Sequence, residues 1–208
     1  MILTLIIFMN MMFISTVSPK GCSPKPIDFV FLLDESGSVG EANFILQNEF
    51  VAKFVEVFSN GSDLARVAVV TFATTVKIEF YLNTYLSNTK IIEKIRRINY
   101  SHPGLTMTQF ALHSARTEIL NVNHGMRPNA LYVVIVMTDG KSMIRSRTIY
   151  EAKQLHNMDV IVFAIGIGTE IDKEELRGIA SHPDYVFTVN DFHTLETIQN
   201  GIKNSVCK

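Results

Sequence analysis

Only two cysteines, Cys22 and Cys207, occur among the 208 residues; tryptophan is absent, and 19 basic against 20 acidic side chains leave a net charge of −1. Each scarcity excludes something. Balanced, well-mixed charge provides no basic face for nucleic acid, whose binding rests on neutralising phosphates. Six histidines are present, but none stands in an H-x-H or H-E-x-x-H spacing, which argues against zinc. The glycine motifs are incomplete. Gly140-Lys141-Ser142 resembles the end of a phosphate-binding loop, yet the glycine required five positions earlier is Ile135. Gly166-Ile167-Gly168 lacks the third glycine of a dinucleotide fingerprint, and Asp34 occupies the place where a nucleophile elbow around Ser36 would need glycine. With no repeat, no low-complexity tract and no long linker, one domain with an ordinary core is expected.

The amino end differs in kind. Residues 1–17 are almost wholly apolar, with Asn10 the main interruption, and the chain turns polar at Ser18-Pro19-Lys20-Gly21. This profile reads as a signal peptide over 1–20, followed by a domain over 22–208. No lysine or arginine precedes the apolar stretch, and the alternative is an uncleaved anchor, which needs roughly 20 apolar residues. Cleavage implies a secreted, extracellular protein with no stable membrane insertion. Cys22 and Cys207 then lie at the two ends of the mature chain, where domain termini often approach each other, and in an oxidising compartment they are expected to pair. The alternative is two unrelated thiols, one of them buried. Asn60-Gly61-Ser62 and Asn99-Tyr100-Ser101 are sequons, so Asn60 and Asn99 are candidate glycan sites.

From Ile27 onward, strand patterns alternate with helix patterns, the signature of a mostly parallel α/β sheet covered on both faces. Strands are expected at 27–34, 65–72, 129–139, 160–167 and 185–189, with a short antiparallel edge strand at 77–81. Helices are expected at 41–58, 88–98, 108–120, 147–157 and 173–181. Asp191 should cap a last amphipathic helix carrying Phe192, Leu195, Ile198 and Ile202 on one face.

The chemistry-bearing residues fall at strand ends. Asp34-Glu35-Ser36-Gly37-Ser38 follows the apolar run 29–33 and precedes a helix. One carboxylate and two hydroxyls in such a turn suit Mg²⁺ or a similar hard divalent ion. Gly104-Leu105-Thr106-Met107-Thr108 leads into a second helix, and the strand ending in Thr138-Asp139-Gly140 supplies another acid. Singly, each would read as a helix cap or a turn. Jointly, they place acid, three hydroxyls and acid on three loops that a doubly wound sheet brings to one edge.

That pattern resembles the metal-ion-dependent adhesion site of von Willebrand factor type A domains, also called integrin I domains. The resemblance runs from about Ile27 to Val206. Residues 38–44, 67–72 and 162–168 are similar to the matrilin and collagen-associated branch. The resemblance implies that Ser36, Ser38 and Thr106 ligate the ion, and that Asp34 and Asp139 act mostly through water. Mg²⁺ is the implied ion, with Mn²⁺ or Ca²⁺ also admissible. A partner's carboxylate would complete its coordination. It further implies adhesion rather than catalysis, an extracellular matrix protein as partner, and collagen as the commonest example. In integrin-type relatives a sliding final helix raises affinity; here that element is 191–206, and a Cys22–Cys207 bridge would hold its far end. Leu105 and Met107 depart from the usual G-G-T-N-T loop and make the rim of the site more apolar. Lys141, Arg145 and Arg147 read most simply as a solvated loop; the sharper reading is a positive ring favouring acidic partners. Two other functions fit the same residues. One is a metal-dependent hydrolase or phosphatase, for which only Glu35 stands near as a base. The other is a structural matrix module with a vestigial site.

Overall fold

Eight consecutive residues, Ile27–Asp34, are buried and form β1, as expected of a central strand covered on both faces. A computed structural model describes residues 26–58, 65–101 and 103–206. The expectations for the 1–20 leader, Cys22, Cys207 and Asn60 lie outside the described residues. β1 pairs in parallel with β2 (Ala65–Phe72) and with β4 (Leu131–Thr138). β5 (Ile161–Ile167) and β6 (Val186–Val189) extend the sheet beyond β4, again in parallel. β3 (Val76–Phe80) closes the other edge antiparallel to β2. The order is β3-β2-β1-β4-β5-β6, the mostly parallel, doubly wound sheet with one antiparallel edge strand that the alternation implied.

Strand alternation divides the core. Phe29, Phe31 and Leu33 point to one face, under α1 (Gly40–Phe58), α2 (Asn88–Arg96) and α6 (Gln199–Val206). Val30 and Leu32 point to the other, under α3 (Thr108–Ser114), α4 (Arg145–His156) and α5 (Lys173–Ile179). Phe54 of α1 packs edge-on against Phe29 at 5.4 Å and Phe31 at 5.5 Å, a geometry favoured by the ring quadrupoles.

Several boundaries differ from the expectations. The helix expected over 108–120 is α-helical only to Ser114. Ala115–Ile119 then forms a π turn in which the Leu120 amide donates to the Ala115 carbonyl at 2.9 Å, a widening that side-chain periodicity does not encode. The last helix is also split: Phe192–Ile198 is 3₁₀ and only then does α6 begin. The Asp191 cap is present, and Thr194 reciprocates to make a capping box. β4 begins at Leu131 because Ala130 is held in a turn by the Arg127 carbonyl. α4 starts at Arg145, two residues early.

β1 and β4 are neighbours whose crossovers leave in opposite directions, β1 toward β2 and β4 toward β5. A crevice therefore opens at their carboxyl ends, the usual ligand position in such sheets. Asp34 ends β1 and Thr138 ends β4.

Candidate metal centre

Three loops meet at that crevice and are tied together by backbone hydrogen bonds. The Gly37 amide donates to the Gly104 carbonyl at 3.0 Å, joining the first loop to the second. The Met143 amide donates to the Thr106 carbonyl at 2.9 Å, joining the third loop to the second. The Met107 amide donates to Ala73 and the Glu35 amide to Phe72, anchoring both to the end of β2. Gly104 lies so close to Thr74 that a Cβ there would come within 2.3 Å of the Thr74 hydroxyl, which itself accepts from the Leu105 amide.

Inside this frame the expected residues come together. The fully buried Asp34 accepts from the Ser36 amide at 2.8 Å and from the Thr138 hydroxyl at 2.6 Å. The Ser36 and Ser38 hydroxyls stand 3.1 Å apart, and Ser38 donates to Asp139 Oδ1 at 2.9 Å. A Cβ at Gly140 would lie 4.0 Å from both Ser38 Oγ and Thr106 Oγ1, which places these two hydroxyls around one small space. Thr106 Oγ1 makes no hydrogen bond among the described residues.

Burial pushes the Asp34 carboxyl up to about 6, opposed by the Thr138 and Ser36 donors and reinforced by Asp139. Asp139 is also raised, chiefly by burial, with the Ser38 hydroxyl opposing. A divalent charge among these oxygens would reverse both shifts. Among the described residues no three His, Cys, Asp or Glu side chains gather as a metal group. The cluster is instead two carboxylates and three hydroxyls, an all-oxygen set that fits a hard cation such as Mg²⁺.

The rim residues separate. Leu105 is exposed, and Met107 is half-buried with its sulfur 3.3 Å from Gln109 Nε2. Arg145 pairs with Asp172 of the α5 cap at 3.1 Å, so its charge is spent away from the centre. Lys141 and Arg147 are exposed and make no ion pair among the described residues. Asn99 is exposed just beyond α2.

Sequence reasoning missed the residues that hold the site from behind. Glu175, almost wholly buried on α5, accepts from the Ser142 amide at 3.1 Å and also from its hydroxyl, while Thr148 donates to Ser142 at 2.9 Å. This fastens the Asp139 loop to α5 and α4. Gln47 of α1 donates to the Asp34 carbonyl at 2.9 Å, and the Tyr100 hydroxyl donates to that of Ser36 at 3.1 Å. Thr138 was missed as well, although its place between the β4 run and Asp139 is a local signal that could have found it.

Residues 28–201 match the von Willebrand factor type A domain model. Matrilin-3 of Gallus gallus is 32% identical over 191 residues, covering 89% of this chain and 41% of the relative. Matrilin-1 of Mus musculus is 34% identical over 196 residues, covering 91% and 38%. The collagen alpha-1(XII) chain of Notophthalmus viridescens is 33% identical over 189 residues, covering 89% and 20%. The chain thus spans less than half the length of these relatives. Among solved structures, proximal thread matrix protein 1 from the mussel byssus superposes with a TM-score of 0.84 at 30% identity, covering 89% of this chain and 48% of that one. A further structure of that protein, described as having a zinc-occupied MIDAS motif, superposes with a TM-score of 0.83 at 31% identity, covering 88% and 48%. The chain belongs to the von Willebrand factor type A domain family.

Proposed function

We propose that this domain is a secreted adhesion module that holds an extracellular matrix protein, collagen being the first candidate, through a divalent cation. The observation that carries this reading is the hydrogen-bonded chain Ser36–Ser38–Asp139, closed across Gly140 by the Thr106 hydroxyl, which has no partner among the described residues. Ser36, Ser38 and Thr106 are the direct ligands, and Asp34 and Asp139 hold them and the ion's waters in place. When bound, Mg²⁺ supplies an electrophilic position, sparingly neutralised by hydroxyl donors, that a partner carboxylate can complete. Kinship with matrilins and collagens, proteins of the extracellular matrix, supports the partner class. The leader at 1–20, a Cys22–Cys207 bridge and a glycan on the exposed Asn99 belong to the same secreted reading.

A hydrolytic role fits less well. Glu35, the one further acid at the first loop, is 1% exposed and accepts from the Ser101 amide at 3.2 Å. That bond ties it to the chain preceding the second loop, and among the described residues no histidine or further glutamate lines the hydroxyls as a base for metal-bound water.

Calorimetry with Mg²⁺ and Mn²⁺, followed by surface plasmon resonance on immobilised collagen in Mg²⁺ and in EDTA, tests the proposal. Saturable one-site cation binding and cation-dependent capture are expected. A folded domain that takes up neither ion would mark the site as vestigial.

A further inference from the structure

Nine large apolar side chains stand exposed among the described residues, and five of them, Leu105, Phe110, Met143, Ile144 and Tyr150, lie on the second metal loop, the start of α3, and the loop and first turns leading into α4. Scattered exposed apolar residues need no explanation, whereas a cluster beside a site does. α3 packs against α4, and between their outer faces lies an open groove of about 380 Å³ walled by Phe110, His113, Arg147, Tyr150 and Glu151 over Gln109.

The charge of this groove is one-sided. Glu151 is already paired with Arg116 at 2.9 Å, and His113 Nδ1 stands 3.2 Å from its other oxygen. Arg147 has no such partner among the described residues, and neither has Lys141, on the loop that leads into α4. At the floor Gln109 is 2% exposed, and its side-chain oxygen accepts no hydrogen bond among the described residues. The groove therefore presents two flat exposed rings, an unused guanidinium and no unpaired negative charge.

We propose that this groove is a second recognition subsite for an extended acidic partner segment whose carboxylate engages the cation; the inference rests on the metal reading given above. Thr106 lies two residues before α3, which rises 1.5 Å per residue from Thr108, so Phe110 and His113 lie roughly 3 and 8 Å along the helix beyond that short loop. An extended chain spans roughly 3.3–3.6 Å per residue. A large apolar side chain roughly two or three residues from the cation-binding acid thus reaches Phe110 and Tyr150. A second acid just beyond it reaches Arg147, and the Phe110 and Tyr150 rings supply contact area at small entropic cost.

The test selects a random-peptide phage library on folded wild-type protein in Mg²⁺ and in EDTA, and on Phe110→Ser/Tyr150→Ser and Arg147→Glu proteins in Mg²⁺. On wild type, Mg²⁺-dependent enrichment of an acid spaced two or three residues from an aromatic or large aliphatic residue is expected. The double variant should keep the acid and lose the spaced apolar residue, and Arg147→Glu should lose the second acid. Acidic peptides without that spacing, or a pattern unchanged on the variants, overturn the groove while leaving the cation site standing. Acid enrichment that persists in EDTA, or no enrichment at all, overturns both.

Discussion

Thr138 at the end of β4 donates its hydroxyl to Asp34 at the end of β1, 2.6 Å away, so the two central strands are stitched at the point where the crevice opens. This bond and the Ser36 amide occupy both Asp34 oxygens. Under the cation reading proposed above, those two bonds hold Asp34 in place as a group that orients Ser36 and water beside the ion.

Ser36→Ala, Ser38→Ala and Asp139→Ala should each abolish measurable Mg²⁺ binding in calorimetry while leaving the thermal midpoint in EDTA within a few degrees of wild type. These side chains sit on loops and bury little apolar area. Unchanged Mg²⁺ affinity in all three would remove the assignment.

Asp34 should make the cation-free domain sensitive to pH. Its folded value of about 6 exceeds the ordinary 3.8, so between those values the folded state binds more protons than the unfolded chain. Stability then falls as pH rises through that window. The upper limit is about 3 kcal/mol. In EDTA, Asp34→Asn should be more stable than wild type at pH 7, and the gap should close by pH 4. Denaturant titration at both pH values decides the sign, and saturating Mg²⁺ should stabilise wild type alone.

Gly104→Ala should weaken Mg²⁺ binding without touching a ligand, because the new methyl would displace Thr74 and with it the Leu105 amide. A tenfold or larger loss is expected, in the range typical of second-layer metal-site changes. Combining it with Thr74→Ala removes the clash and should recover part of the affinity. No recovery would show that the loop responds to something other than this contact.

Glu175→Ala leaves the Ser142 amide and hydroxyl without their acceptor. A cost of about 1–3 kcal/mol is expected in denaturant unfolding, together with weaker Mg²⁺ binding, since Ser142 and Asp139 share one loop. Full stability with reduced binding, or the reverse, would separate the two roles.

At the opposite edge, Arg127 bonds the fully buried Asp28 through both its amide and its Nε at 2.8 Å. Arg127→Ala keeps the amide donor but removes the guanidinium from that buried carboxylate, and should cost up to about 3–5 kcal/mol. Asp28→Asn in the same chain should return much of it, and Mg²⁺ affinity should not change.

The legible parts of this protein were those written in neighbouring residues. The continuous apolar runs of β1 and β4 announced buried strands, and Asp34, Ser36, Ser38, Thr106 and Asp139 stood out as a candidate cluster because hard oxygens fell at three strand or helix ends. The geometry brings all five together at one edge. What escaped depends on distant partners. Glu175 lies 33 positions from Ser142, and nothing local distinguishes it from an exposed helical acid. The Arg145 charge appeared free in sequence because Asp172 reaches it only through the fold. The π turn at Ala115–Ile119 and the 3₁₀ start at Phe192 reflect packing of a helix end, to which hydrophobic spacing is blind.

Gly201 of α6 lies against the Phe187 ring of β6, and a Cβ there would come within 2.9 Å of the ring. A displacement of α6 along its own axis by one turn, roughly 5.4 Å, exchanges Gly201 for a residue about four places away, and those residues, Thr197 and Ser205, both carry side chains. Gly201 and Phe187 thus act as key and slot: the helix seats at one depth, and leaving that depth requires the ring to turn aside. The carboxyl-terminal helix is in this sense indexed against the sheet, whatever joins the two ends of the chain.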